Sequence, residues 1–313
     1  MIFCLGTAQL GMHYGIVNDA GQPSNWEATE IVKRAIASGV TSFDTAREYG
    51  CSEEILGAAL PETARSGLQI ITKLGISALT AQASKALVRE AVEQSIEKSR
   101  FALRAQALDV VLLHCWKHRY SWNAAAWNRL LEFKAQGRVR SLGASVYEPW
   151  EAIEALREKQ ITHLQIPMNV LDWRWNESGI EPALRERPDV SVYLRSVLLQ
   201  GILAHPANRW PVVNGFDNSG CAAALRQLAN RFQRESVADL CFAYVRSLRW
   251  ASALVVGCET PAQLSRNLRL FSLPALTSDQ CKQLEREIPK APLTLLNPSQ
   301  WSHLHESHAC RAN

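Results

Sequence analysis

Nowhere in the 313 residues is there an uninterrupted apolar run of membrane-spanning length, and the first residues, MIFCLGTAQLGM, lack a positively charged leader. Both absences argue against membrane insertion and secretion and leave the cytoplasm as the expected location. The eight cysteines, Cys4, Cys51, Cys115, Cys221, Cys241, Cys258, Cys281 and Cys310, contain no CxxC pair and no zinc-ligand spacing. Thiols so widely scattered read as reduced and mostly packed rather than as a disulfide framework. No block of like charge is present. The net charge of +4 is spread along the chain, without the basic footprint of a nucleic-acid binder. No GxGxxG follows the first apolar run, which argues against an open Rossmann-type sheet. Internal repeats, low-complexity segments and linkers are missing as well. A single domain over residues 1–313 is therefore expected, with its core at about 2–272 and a C-terminal helix and tail over 273–313.

What is present is an alternation of short apolar runs and longer amphipathic stretches. The candidate strands are Ile2–Leu5, Ser42–Asp44, Gln69–Thr72, Asp109–Leu113, Arg138–Leu142, His163–Ile166, Ser191–Leu194 and Ala253–Val256. Each is too continuously apolar for a half-exposed antiparallel strand and suits a parallel sheet covered by helices. Helical spacing is expected over Glu27–Ser38, Ala81–Leu103, Trp122–Ala135, Pro149–Glu158, Asp217–Phe232, Ser236–Ser247 and Pro261–Phe271. Gly39 is a natural stop for the first of these, and Pro149 suits the first turn of the fourth. Eight strands, each followed by helix, predict an α/β fold: a closed (β/α)8 TIM barrel.

In such a barrel the chemistry sits at the C-terminal strand ends. Those ends carry Asp44 with Tyr49 in the loop beyond it, then Lys73, then His114. Taken singly, each has an ordinary explanation: a cap or ion-pair partner, a packing ring, a solvated amine, a core histidine. Together they suit carbonyl reduction, in which an arriving hydride leaves an alkoxide that needs a proton and a stabilising charge. Tyr49 is the candidate proton donor. Lys73 is expected to lower its pKa, Asp44 to hold Lys73, and His114 to orient the carbonyl oxygen.

These residues also lie in recognisable contexts. The stretch Phe43-Asp44-Thr45-Ala46-Arg47-Glu48-Tyr49-Gly50, followed by Glu53, Glu54 and Leu56-Gly57, resembles the aldo-keto reductase signature. Ile71-Thr72-Lys73-Leu74 is similar to that family's lysine strand and Asp109-Val110-Val111-Leu112-Leu113-His114 to its histidine strand. Arg138-Val139-Arg140-Ser141-Leu142-Gly143-Ala144-Ser145 resembles its fifth strand, and the likeness runs from about Leu5 to Leu268.

The resemblance implies a nicotinamide cofactor. Gly6 and Thr7 would lie near its pyrophosphate, and Ser145 and Gln165 would hydrogen-bond its carboxamide. Where the family pairs that serine with Asn this chain has Val146, which removes one such bond. The stretch Arg195-Ser196-Val197-Leu198 puts Arg195 where the family commonly stacks an aromatic ring on the nicotinamide. A guanidinium also stacks on planar rings but brings a positive charge. The run Gly257-Cys258-Glu259-Thr260-Pro261-Ala262-Gln263-Leu264-Ser265-Arg266-Asn267 resembles the adenosine-binding segment. NADPH is implied on family grounds. NADH is the alternative, because Glu259 and Gln263 stand where Arg or Lys usually meets the 2′-phosphate and Arg266 is the one nearby cation.

The expected partner is a small carbonyl compound, possible substrates including sugar aldehydes and keto sugars, with Met12, Tyr14 and Trp116 lining the pocket. Trp173 and Trp175 are further aromatic candidates, although among ten tryptophans several must be packing. Neither a nucleic acid nor a membrane is expected as partner, and oligomeric state is not legible. The tail residues His303, His305, His308 and Cys310 fit no standard metal site, so no metal is expected. Two other readings use the same residues. One is a cofactor-binding redox sensor with little turnover. The other is a lyase or aldolase with Lys73 as Schiff-base amine.

Overall fold

The computed structural model describes residues 1–60 and 67–301. Eight strands run β1 Ile2–Gly6, β2 Ser42–Asp44, β3 Gln69–Lys73, β4 Leu108–Leu113, β5 Val139–Ser145, β6 Ile161–Pro167, β7 Ser191–Arg195 and β8 Ala253–Gly257. Each pairs in parallel with the next, and β8 returns to β1 through Ile2↔Ala253 to Gly6↔Gly257, closing a (β/α)8 barrel. The strands are buried on both faces, and successive residues divide between two packed regions. Val111 and Leu113 belong to the large core between sheet and helices, whereas Val110 and Leu112 join Cys4, Ile71, Tyr193, Ala253 and Val255 inside the barrel. This period of two explains the unbroken apolar runs, since both sets of side chains leave water.

The surrounding helices follow the sequence closely and differ mainly at their ends. The helix Asn25–Ala37 begins ahead of the expected Glu27 because Ser24 and Glu27 form a capping box, and it buries Ala28, Ile31, Val32 and Ala35. Lys85–Ala102 starts four residues later than expected, since the Ser84 hydroxyl accepts from the Leu87 amide and fixes the first turn there. Trp122, Asn123 and Ala124 have φ of 53°, 53° and 60°, so right-handed helix begins only at Ala125. The helices Ser52–Ala59 and Ile180–Arg185 were not expected, being short segments with little periodicity. Ser278–Glu287 supplies the C-terminal helix.

Among the described residues, seven cysteines are free and Cys4, Cys221, Cys241 and Cys258 are buried. No described helix is long and apolar enough to cross a membrane, and no described cluster could hold a metal ion. The histidines and Cys310 of the tail lie outside the described residues.

Candidate active site

Parallel strands bring three of the four expected groups to one mouth. Asp44 is the last residue of β2, Lys73 the last of β3, and His114 follows the end of β4. Tyr49 reaches them from the loop after β2. That loop is held by the β1 turn: the Cys51 amide donates to the Gly11 carbonyl at 3.2 Å. A Cβ on Gly11 would collide with the Tyr49 carbonyl oxygen and the Ser52 backbone, so only glycine permits this approach.

Lys73 is 1% exposed. Its ammonium donates to Asp44 Oδ1 at 2.7 Å, Asp44 Oδ2 at 2.8 Å and the Thr45 carbonyl at 2.9 Å, which uses all three of its protons. Lys73 Nζ lies 4.8 Å from the centre of the Tyr49 ring. The His114 ring meets the Tyr49 ring edge-on, with centres 5.9 Å apart. His114 Nδ1 is 3.3 Å from Glu48 Oε2, and Glu48 Oε1 accepts from the Ser77 amide at 2.9 Å. The hydrogen bond from His114 holds the Glu48 carboxyl down at about 2.

The expected lowering of the Tyr49 pKa is not what this geometry produces. Burial, and next the negative charge of Asp44, push the phenol well above its ordinary value, while Arg195 acts in the opposite sense. The physical reason is that burial withdraws the phenol from the water that would solvate a phenolate, and the nearby Asp44 carboxylate repels one. The consequence is a hydroxyl that keeps its proton across the neutral range, as a donor must.

Gln165, on β6, donates from Nε2 to Asp44 Oδ1 at 2.6 Å. Its Oε1 is buried without a hydrogen-bond partner. A buried acceptor left open beside the Asp44–Lys73 pair is what a carboxamide N–H would satisfy. Ser145 is buried at the end of β5, with its hydroxyl uncommitted among the described residues. These two residues therefore fit the nicotinamide end of the expected cofactor.

A cavity of about 300 Å³ opens from Asp44 and Tyr49 and runs along β7 and β8. Its walls include Gly6, Tyr14, Arg195, Ser196 and Leu198, and at the far end Gly257, Glu259, Gln263, Arg266 and Asn267. The Glu259 amide donates to Gln263 Oε1 at 2.7 Å, tying the strand exit to the helix Pro261–Ser272. Arg266 also borders an adjoining groove of about 390 Å³ with Arg226 and Asn230.

Other expected residues lie elsewhere. Thr7 is fully buried, donating to the Asp44 carbonyl at 2.9 Å and sharing a hydrogen bond with Ser52 at 2.6 Å, so it braces the strand ends. Cys258 is buried outside the cavity wall, and Met12 is half-buried beside Gly50. Trp116, expected at the substrate, is 2% exposed and donates to Glu154 at 2.7 Å. Its ring lies in the core, with the indole N–H tied to Glu154 on the helix Pro149–Arg157. Trp175 is likewise buried, and Trp173 donates to the Ala291 carbonyl at 3.1 Å. Arg195 stands with its guanidinium 4.5 Å from the centre of the Tyr147 ring. Glu48 as the anchor of His114, Gln9 packed against Gly257, and Arg226 were not singled out from sequence. Glu48 lies within the quoted motif, whereas Arg226 faces the groove from a helix remote in sequence and carries no local signal.

The fold and this mouth define a barrel oxidoreductase that works on carbonyl groups, and comparison with known proteins agrees. The profile of the Aldo/keto reductase family matches residues 3–288, and the chain belongs to that family. Its members use nicotinamide cofactors. The chain is 24% identical to an NADH-specific methylglyoxal reductase of Escherichia coli over 290 residues, covering 84% of this chain and 87% of that protein. It is 28% identical to a probable aldo-keto reductase 1 of Glycine max over 193 residues, covering 58% of this chain and 52% of that one. Among solved structures, the holo form of the aldo-keto reductase AKR11C1 from Bacillus halodurans superposes with a TM-score of 0.72 at 22% identity, covering 92% of each chain.

Proposed function

We infer that this protein reduces an aldehyde or ketone, reversibly, at the expense of NADPH, with Tyr49 as proton donor. The observation that carries the reading is the convergence of Lys73 and Gln165 on Asp44 below Tyr49, with Gln165 Oε1 left open. When bound, the nicotinamide supplies the hydride, and Ser145 and Gln165 hold its carboxamide. The chain's own part is to place the carbonyl oxygen between Tyr49 and His114 and to deliver the phenolic proton as negative charge develops there. Lys73, fixed by Asp44, sets a positive charge beneath the ring, and Glu48 fixes the imidazole.

NADPH is preferred over NADH because Arg266 and Arg226 both border the groove beyond Glu259, and among the described residues neither is engaged in an ion pair. The name of the Escherichia coli relative supports a small dicarbonyl such as methylglyoxal as one substrate. Sugar aldehydes and keto sugars belong to the same reactive class.

Separate titrations with NADPH and NADH, followed by quenching of tryptophan fluorescence, test the cofactor. Micromolar binding with NADPH tighter is the expected result. Tighter NADH would mean that Glu259 rather than Arg266 governs the far end. Binding of neither would overturn the reductase reading.

A further inference from the structure

We propose that Arg195 reads an anionic group, a carboxylate or phosphate, on the carbonyl compound, so that the preferred substrate is a charged aldehyde or ketone. This rests on the reductase reading and adds the substrate's charge.

Arg195 ends β7 at the barrel mouth and lines the same cavity as Tyr14, Asp44 and Tyr49. Its position is fixed: one Nη donates to the Val146 carbonyl at 3.1 Å and the other reaches Ser196 Oγ at 3.4 Å, while the plane lies over Tyr147. A guanidinium has five N–H donors, so three are uncommitted. No carboxylate of the described residues lies in ion-pair distance. Those nearby are engaged elsewhere: Asp44 with Lys73, Glu48 with His114, and Glu148 with Arg174 at 2.9 Å. The charge is felt at the chemistry, since it acts on the phenols of both Tyr49 and Tyr14. Leu296, Asn297 and Pro298 line a second, small pocket together with Arg195. A held, half-buried fork with free donors suits bidentate recognition of an anion. A neutral ligand would leave those donors to water.

The full chain, wild type and Arg195→Met, is assayed with saturating cofactor on two matched pairs. D-Glucuronate against D-glucose exchanges a carboxylate for a hydroxymethyl group, and D-glyceraldehyde 3-phosphate against D-glyceraldehyde tests phosphate. The wild type is expected to prefer the charged member of at least one pair, and that pair identifies the anion. Arg195→Met should lower the charged-to-neutral ratio of kcat/KM about 10- to 100-fold, the loss of a charge-assisted pair. Arg195→Lys should retain part of the ratio, which separates recognition from misfolding. Preference for the neutral member in both pairs overturns the proposal. So does a ratio that Arg195→Met leaves unchanged while weakening NADPH binding, which would assign the residue to the cofactor. Turnover of methylglyoxal but of none of the four compounds would overturn this proposal and leave the reductase reading standing, whereas turnover of none of the five with either cofactor would sink both.

Discussion

Asp44→Asn should damage stability and activity together, through one cause. The Asp44 carboxylate accepts from Lys73 at 2.7 and 2.8 Å and from Gln165 at 2.6 Å. Asparagine keeps one acceptor and turns the other into a donor aimed at an ammonium. Lys73, 1% exposed, would be left with the Thr45 carbonyl as its main partner. Removing one member of a buried pair typically costs about 3–5 kcal/mol, a large part of a stability of about 5–15 kcal/mol. With a urea m-value near 3 kcal/mol/M, the unfolding midpoint should fall by about 1 M or more, with the slope unchanged. The double variant Asp44→Asn/Lys73→Met removes the orphaned charge and should recover most of the loss, while carbonyl reduction stays abolished. The pair does little if the single variant loses less than about 1 kcal/mol. Equal instability of the single and double variants would refute the cause assigned here.

Two further outcomes follow from burial. His163 is pushed down to about 4 by desolvation, so between about 6.5 and 4 the unfolded chain takes up this proton and the folded one does not. Stability should therefore fall as pH drops through that window, by roughly 3 kcal/mol at most. Urea titrations of His163→Gln should show a correspondingly shallower decline, and an identical decline would refute the assignment. Trp116→Ala should cost about 3–5 kcal/mol of stability with KM nearly unchanged, because the ring is core. A large rise in KM at unchanged stability would return it to the substrate pocket.

The strands were legible because burial on both faces leaves uninterrupted Val, Ile and Leu in sequence, as at Val110–Leu113. The meeting of Asp44, Lys73 and His114 was legible because strand order brings their positions to one mouth, and Tyr49 joins them from the loop held at Gly11. Harder to read were features set by contacts between distant segments. The direction of the Tyr49 shift depends first on the burial of its phenol, which no spacing reveals. Trp116 follows His114 closely, yet its indole finds Glu154 on another helix and turns inward. The helix Ser52–Ala59 packs Gly57 against the Ala102 carbonyl, a tertiary contact rather than a periodic pattern. Arg195 was readable as a substitution, but its stacking on Tyr147 needed the fold.

The central claim is most directly tested by carbonyl-dependent oxidation of NADPH in wild type and Tyr49→Phe, with cofactor binding measured on both. The account predicts turnover by the wild type and a loss of about 10²- to 10⁴-fold in kcat for Tyr49→Phe, with NADPH affinity retained. Equal turnover by the two proteins would remove Tyr49 from the mechanism. Tight NADPH binding without turnover by the wild type would make the protein a cofactor sensor rather than a reductase.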